Sequence, residues 1–221
     1  MAGLDRPIGI FPGSNASSRR WAPQHFRELV HRLAARGHRS VIFGGPDERA
    51  LTAEVAGPEG TTKVFMNVTL REISAETVAD VMRLAVKPEQ QRFVASNAFS
   101  LGEALFSEMA WYRAVYEDEN LAGFVMLRDE SLARNPPESP SIGLWRLMVD
   151  HRFQGRGIGR RVVEQVVDHA VRKNRFAGLF TSYFPGPAGP EGFYLSLGFV
   201  PNGDVKGDET VALLRLAPSA A

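Results

Sequence analysis

Three glycines on alternate positions, Gly155, Gly157 and Gly159, stand in the stretch HRFQGRGIGRRVV, with Gln154 before them and Arg156, Arg160 and Arg161 around them. Glycines lack a Cβ, so backbone N–H groups there can approach a ligand closely. At the entrance of a helix the unsatisfied amides and the helix dipole favour negative charge. A diphosphate is the natural guest. Three phosphate-binding patterns compete. The nucleoside-triphosphate loop requires Gly-Lys-Ser/Thr, whereas Gly159 is followed by Arg160 and Arg161. The dinucleotide fingerprint needs G-x-G-x-x-G after the first strand of a βαβ unit, with an acidic strand end about twenty residues later. This ladder reads G-x-G-x-G and lacks that acidic partner. The third pattern, Q/R-x-x-G-x-G/A, is matched by Gln154, Gly157 and Gly159.

Composition removes several chemistries. There is no cysteine, which excludes a disulfide scaffold, a thiolate metal site and a cysteine nucleophile. The spacing of His151 and His169 does not suit a metal, and both read as surface residues, so no metal site is expected. Net charge is +1, with 44% hydrophobic and 23% charged residues, ordinary for a globular chain and too neutral to draw nucleic acid. No apolar run reaches the roughly 20 residues of a bilayer span. The start, MAGLDRPIGIFPGS, lacks a signal peptide. A cytoplasmic protein with neither nucleic-acid nor membrane partners is expected.

The elements that must position the ladder fall into two blocks. PIGIFPGS reads as a strand over residues 8–11 closed by a Pro-Gly turn. APQHFRELVHRLAARGH carries a helical stripe of Phe26, Leu29, Val30, Leu33 and Ala34, with Pro23 in its first turn and Gly37 past its end. A strand over 41–43, a glycine turn and a short helix repeat the theme. This βαβα pattern favours parallel strands, but two strands with two helices cannot cover both faces of a sheet. AGPEGTTK, residues 56–63, reads as a linker. The second block opens with the alternating MNVTLREI and a serine-capped helix carrying Val78, Val81, Met82 and Ala85. It continues with a helix over about 101–109, a hairpin in WYRAVYEDENLAGFVMLRD and a Pro-rich loop. Next come the strand SIGLWRLMV and a helix striped by Val162, Val163, Val166, Val167, Ala170 and Val171. The strand AGLFTSYF, a short helix in EGFYLSLG and a last strand ETVALLRL complete the block.

The ladder, together with FYLSLGF at its distance downstream, resembles the acyl-CoA pyrophosphate loop of the Gcn5-related N-acetyltransferases (GNAT). The resemblance covers about residues 67–216. VKPEQQRFVASNAFS, YRAVYEDENLAGFVM, WRLMVDHRFQGRGIG, SYFPGPAGPEGFYLSLGF and GDETVALLRL look like the bacterial spermine/spermidine or diamine acetyltransferase branch. The resemblance implies an α/β (α+β) GNAT fold with a mixed, mostly antiparallel sheet over residues 66–217. It implies acetyl transfer from acetyl-CoA to a primary amine, a polyamine or diamine, by direct attack in a ternary complex. Homodimers are frequent in the superfamily.

Site roles follow from the same resemblance. The strand before the loop should splay from its neighbour, and Leu147, Met148 and Val149 should hold the pantetheine arm and an oxyanion through their backbone. Gln154, Gly155, Arg156, Gly157, Ile158, Gly159 and Arg160 should hold the diphosphate. Tyr194 matches the family's general acid, since a positioned phenol eases departure of a thiolate. Polyamine enzymes of other branches place a glutamate on the strand before the loop, where this chain has Trp145 and Arg146. A water chain to Glu89, Glu103 or Glu108 could serve instead. Pro187 stands where the family often has an asparagine that touches coenzyme A. The amine is expected at Glu89, Gln90, Phe93, Asn97 and Glu103. Other readings keep the class and change the amine to an aminoglycoside, amino acid or protein N-terminus, or make the chain a non-catalytic acyl-CoA sensor.

Residues 7–56 resemble a piece of the lipopolysaccharide heptosyltransferases, whose nucleotide-binding half opens with PG[AS]…KRWP; Arg19, Arg20 and Trp21 stand near that motif. Residues 1–62 are therefore expected to form a truncated Rossmann-like βαβα unit, a structural appendage.

Overall fold

The computed structural model describes residues 8–12, 21–38, 40–44, 49–56, 62–65, 67–186 and 189–216. The chain divides into two compact units, one of residues 1–68 with Gly155–Gly157 and one of residues 69–154 and 158–221.

The first unit runs β1 (Ile8–Ile10), α1 (Pro23–Ala35), β2 (Ser40–Gly44), α2 (Arg49–Ala56) and β3 (Thr62–Phe65). Its strands lie side by side in the order β1-β2-β3, and both pairs are parallel. Pro23 opens α1 without losing a helical bond, because the first-turn amides have no intrahelical acceptor. Gly37, at φ +77°, ends it, its N–H donating to the Ala34 carbonyl at 2.9 Å. Ile10, Val30, Ile42, Val55 and Ala56 form the core. The third strand corrects the sequence reading of this block, because β3 begins inside the stretch read as linker. Polar and glycine residues just before Thr62 hide a four-residue strand that has too few residues to show alternation.

The second unit runs β4 (Val68–Arg71), α3 (Val78–Arg83), a 3-10 turn (Pro88–Phe93), α4 (Asn97–Ala104), β5 (Ala110–Glu117), β6 (Asn120–Asp129) and β7 (Ile142–Val149). It continues with α5 (Ile158–Lys173), β8 (Gly178–Tyr183), α6 (Glu191–Ser196), β9 (Val200–Lys206) and β10 (Glu209–Arg215). Strand order is β4-β5-β6-β7-β8-β10-β9. The pairs β5–β6, β6–β7, β8–β10 and β9–β10 are antiparallel, and β7–β8 is parallel. Mixed pairing of this kind matches the expected fold class. The helix expected at 101–109 starts earlier because the Ser96 hydroxyl caps it, accepting from the Phe99 amide at 3.2 Å. Strand β9 was not expected. All seven of its residues are exposed, and Pro201 and Gly203 interrupt it, which an edge strand tolerates.

Two apolar layers hold the sheet. On one side Val81, Leu84 and Leu101 pack on Ala114, Phe124, Met126 and Met148. Along α5 the buried stripe is Ile158, Val162, Val163, Val166 and Ala170, each burial worth about 1 to 3 kcal/mol. The far end of α5 is anchored where Lys173 donates to Asp129, which is fully buried and also accepts from the Ser131 amide and hydroxyl. Among the described residues, no helix is long and apolar enough to cross a membrane.

Candidate active site

The parallel pair at the sheet centre is short. Strand β7 meets β8 at Ile142↔Leu179, Gly143↔Phe180 and Leu144↔Thr181, and there the pairing stops. Both strands continue in the same direction, β7 to Val149 and β8 to Tyr183. They therefore diverge, and the edge of β7 that faces β8 is left without a strand partner over residues 145–149. A bulge sits at the same place. Opposite Met126 and Leu127 of β6 stand Arg146 and Leu144, so Trp145 is the extra residue. Bulges bend and over-twist the strand that carries them, which is how β7 leaves β8 while keeping β6. The expected splay is present.

The glycine turn follows. Gly155 and Gly157 have φ of +77° and +84°, a region that side chains resist, and a Cβ on Gly155 would meet open space. Backbone conformation, not crowding, requires glycine at Gly155. Helix α5 begins at Ile158. A Cβ on Gly159 would lie 3.3 Å from the Phe193 ring and 3.8 Å from Val149, so the end of β7, the first turn of α5 and helix α6 close on one point. Arg160 is directed along α6, its Nη2 3.3 Å from the Ser196 hydroxyl.

Below the turn, Asp150 acts as a hub that sequence reasoning missed. It is 1% exposed. Its carboxylate accepts from the Ala85 amide at 3.1 Å and from the Arg152 amide and Nε at 3.1 and 2.7 Å, and its own N–H donates to the Ala122 carbonyl at 2.8 Å. Burial alone would raise its pKa, but the hydrogen bonds from Arg152 and Ala85 and the Arg152 charge outweigh it and hold the carboxyl below its usual range.

Tyr194 is supplied by α6 and is buried. Its ring stacks on Tyr183 (centroids 5.4 Å apart) and meets Phe193 and Phe199 edge-on at 5.2 and 5.5 Å. Burial pushes its phenol up to about 12; the neighbouring Thr181 hydroxyl opposes that shift and the Glu209 charge adds to it. Thr181 is the last β8 residue paired with β7, and its own hydroxyl lies 3.4 Å from the Leu144 carbonyl. The phenol thus stands protonated beside the vertex of the splay.

The residues expected to meet the amine fare differently. Gln154 Nε2 donates to the Gln90 side-chain oxygen at 2.8 Å and to the Val149 carbonyl at 2.9 Å, tying the 3-10 turn to the loop. Phe93 lies 6.1 Å from Phe184, the residue after β8. Gln90 and Phe93 are therefore brought to the two arms of the splay. Glu89 is exposed on the same turn. Glu103 receives a 2.9 Å bond from Arg146 Nη2 of β7, so its charge is already matched. Asn97 is 2% exposed, and its amide nitrogen donates to the Val81 carbonyl at 2.8 Å, committed to joining α3 and α4. Glu108 accepts from the Arg134 amide and guanidinium. His169, read as a surface residue, instead packs on Trp111 at 4.7 Å, and burial lowers its pKa. Among the described residues no cluster of His, Asp or Glu could hold a metal. Pro187, Arg19 and Arg20 lie outside the described residues.

The donor set fits an acyl-CoA. The β7 edge offers amides to an extended, amide-bearing arm, and the glycine turn with the start of α5 offers amides to a diphosphate.

Residues 108–201 match the family model described as acetyltransferase (GNAT) domain. A spermine/spermidine N(1)-acetyltransferase of Bacillus subtilis is 22% identical over 142 residues, spanning 63% of this chain and 92% of that protein. The crystal structure of a putative GNAT-family acetyltransferase from Desulfovibrio desulfuricans superposes with TM-score 0.52 at 20% identity, covering 68% of this chain and all of that one. An aminoglycoside acetyltransferase crystallised with coenzyme A superposes with TM-score 0.55 at 14% identity, covering 67% of this chain and 95% of that one. The expected likeness of residues 7–56 to a heptosyltransferase fragment is not borne out, since the family match lies wholly within the second unit. A short parallel βαβαβ run is common to many α/β folds. The second unit has the fold of the GNAT acetyltransferases, and its residues 108–201 match their family model.

Proposed function

We propose that the chain acetylates a primary amine of a polyamine or diamine, with the acyl-CoA arm along residues 145–149 and the diphosphate on residues 154–160. The observation that carries this reading is the end of β7–β8 pairing at Leu144↔Thr181, with the Tyr194 phenol beside that vertex. The likeness to the Bacillus enzyme supports the polyamine acceptor, as does the position of Gln90 and Phe93 at the splay. Residues 1–62 are proposed as an appendage to the catalytic domain.

Bound acetyl-CoA supplies an acetyl thioester open to attack by a neutral amine. A backbone N–H on the free edge of β7, among residues 147–149, holds the carbonyl oxygen as negative charge develops on it. Tyr194 donates its proton to the departing sulfur. Its high pKa keeps that proton in place at neutral pH, and burial fixes the direction of donation. The amine's own proton must leave as the C–N bond forms. Glu89 is the carboxylate proposed to receive it through water, because Glu103 and Glu108 are engaged by Arg146 and Arg134. With no cysteine in the chain, a direct attack needs no thiol carrier.

The test is thiol release from acetyl-CoA across a panel of spermidine, spermine, short diamines, an aminoglycoside and a peptide N-terminus. Turnover that is fastest with the polyamines supports the reading. Coenzyme A binding without turnover on any amine would replace it with an acyl-CoA sensor.

A further inference from the structure

Tyr183 ends β8, two residues beyond Thr181, the last residue of that strand paired with β7. At about 3.3 Å per residue it lies roughly 6 to 7 Å further along the open splay. The residue is 2% exposed, and its ring is stacked on that of Tyr194, the planes 15° apart. Its hydroxyl is nevertheless buried and, among the described residues, meets no hydrogen-bond partner. A buried tyrosine hydroxyl ordinarily finds one. The nearby Glu191 carboxylate does not serve, since it accepts instead from the Gly186 amide at 2.8 Å.

Among the described residues, donors are scarce on this wall. Pro185 and Pro190, beyond β8, have no N–H to offer. The Gly186 amide is spent on Glu191, and the Gly189 amide on the Gly186 carbonyl at 3.1 Å. Opposite, the β7 edge carries backbone amides.

We propose that the Tyr183 hydroxyl donates a hydrogen bond to the pantetheine arm of the acyl-CoA, so that two stacked phenols line the β8 wall with separate duties. Tyr194 serves the sulfur as it departs, and Tyr183 holds the arm before and after. The assignment rests on the acyl-CoA reading above. Because the contact exists in the ground state, its loss changes binding and leaves the chemical step alone.

The experiment is calorimetry on the full chain, wild type and Tyr183→Phe, with coenzyme A and with adenosine 3′,5′-bisphosphate, which lacks the arm. A single neutral hydrogen bond sets the expected loss of coenzyme A affinity at about 3- to 10-fold. Affinity for the bisphosphate should be unchanged and kcat within about twofold. The melting temperature of Tyr183→Phe should hold or rise, because the lost group had no protein partner. Equal coenzyme A affinity in both proteins overturns the proposal. So does an equal loss for both ligands, or a fall in kcat with KM unchanged. If wild type itself binds neither compound, the acyl-CoA reading falls and takes this one with it.

Discussion

Replacing Tyr194 with phenylalanine separates chemistry from structure at this site. The ring keeps its stack on Tyr183 and its edge contacts with Phe193 and Phe199. Only the phenol's interaction with Thr181 is lost. One net hydrogen bond is worth about 1 kcal/mol, so the melting temperature should fall by roughly 2 to 4 °C for a chain of this size. The kinetic cost should be far larger, because a positioned general acid contributes about 10²- to 10⁴-fold. The assay is initial-rate thiol release at saturating acetyl-CoA and amine, alongside calorimetry for coenzyme A, whose affinity should stay within about twofold. The pH profile adds a sign. The folded phenol lies at about 12, above the ordinary value of about 10. The stability it contributes is complete below about pH 10 and is lost as pH rises through 12. No basic limb of kcat below about pH 11 should therefore belong to Tyr194. A variant that keeps kcat within about threefold of wild type would refute its role as the acid.

Three further outcomes are expected. Asp150→Asn removes a carboxylate whose folded pKa is held below its ordinary value; its stabilisation exists above the unfolded pKa and disappears as pH falls through the folded one. The acid limb of melting temperature against pH, below the ordinary carboxylate range, should flatten in that variant. Gly155→Ala meets no clash but forces a side chain to φ +77°, so it should cost about 1 to 2 kcal/mol by denaturant titration and weaken coenzyme A binding measurably. Lys173→Met leaves the fully buried Asp129 without its cation and should cost about 3 kcal/mol in the same titration, with coenzyme A affinity unchanged.

The parts of the fold that sequence reasoning reached are those where local chemistry permits few alternatives. Gly155 and Gly157 occupy positive φ, so their residue type reports backbone shape directly. The valine stripe of α5 and the hairpin turn at Asp118 (φ +53°) are equally local. Tyr194 was legible only as part of FYLSLGF. Strands β3 and β9 were not, because a short strand and an exposed edge strand with proline and glycine lack the alternation that a half-buried face imposes. The Ala85 partner of Asp150, the Arg146 partner of Glu103 and the Val81 partner of Asn97 are 65, 43 and 16 residues away, and spacing within one segment carries no trace of such bonds. The Trp145 bulge is likewise a property of pairing between strands.

The central claim is that the free edge of β7 and the turn that follows it hold acyl-CoA through their amides. Amide hydrogen exchange of the full chain, with and without coenzyme A, tests it residue by residue. The account predicts that exchange slows over residues 145–160 and is unchanged in β9, at the far edge of the same sheet. Exchange over residues 145–160 that is identical with and without saturating coenzyme A would contradict it.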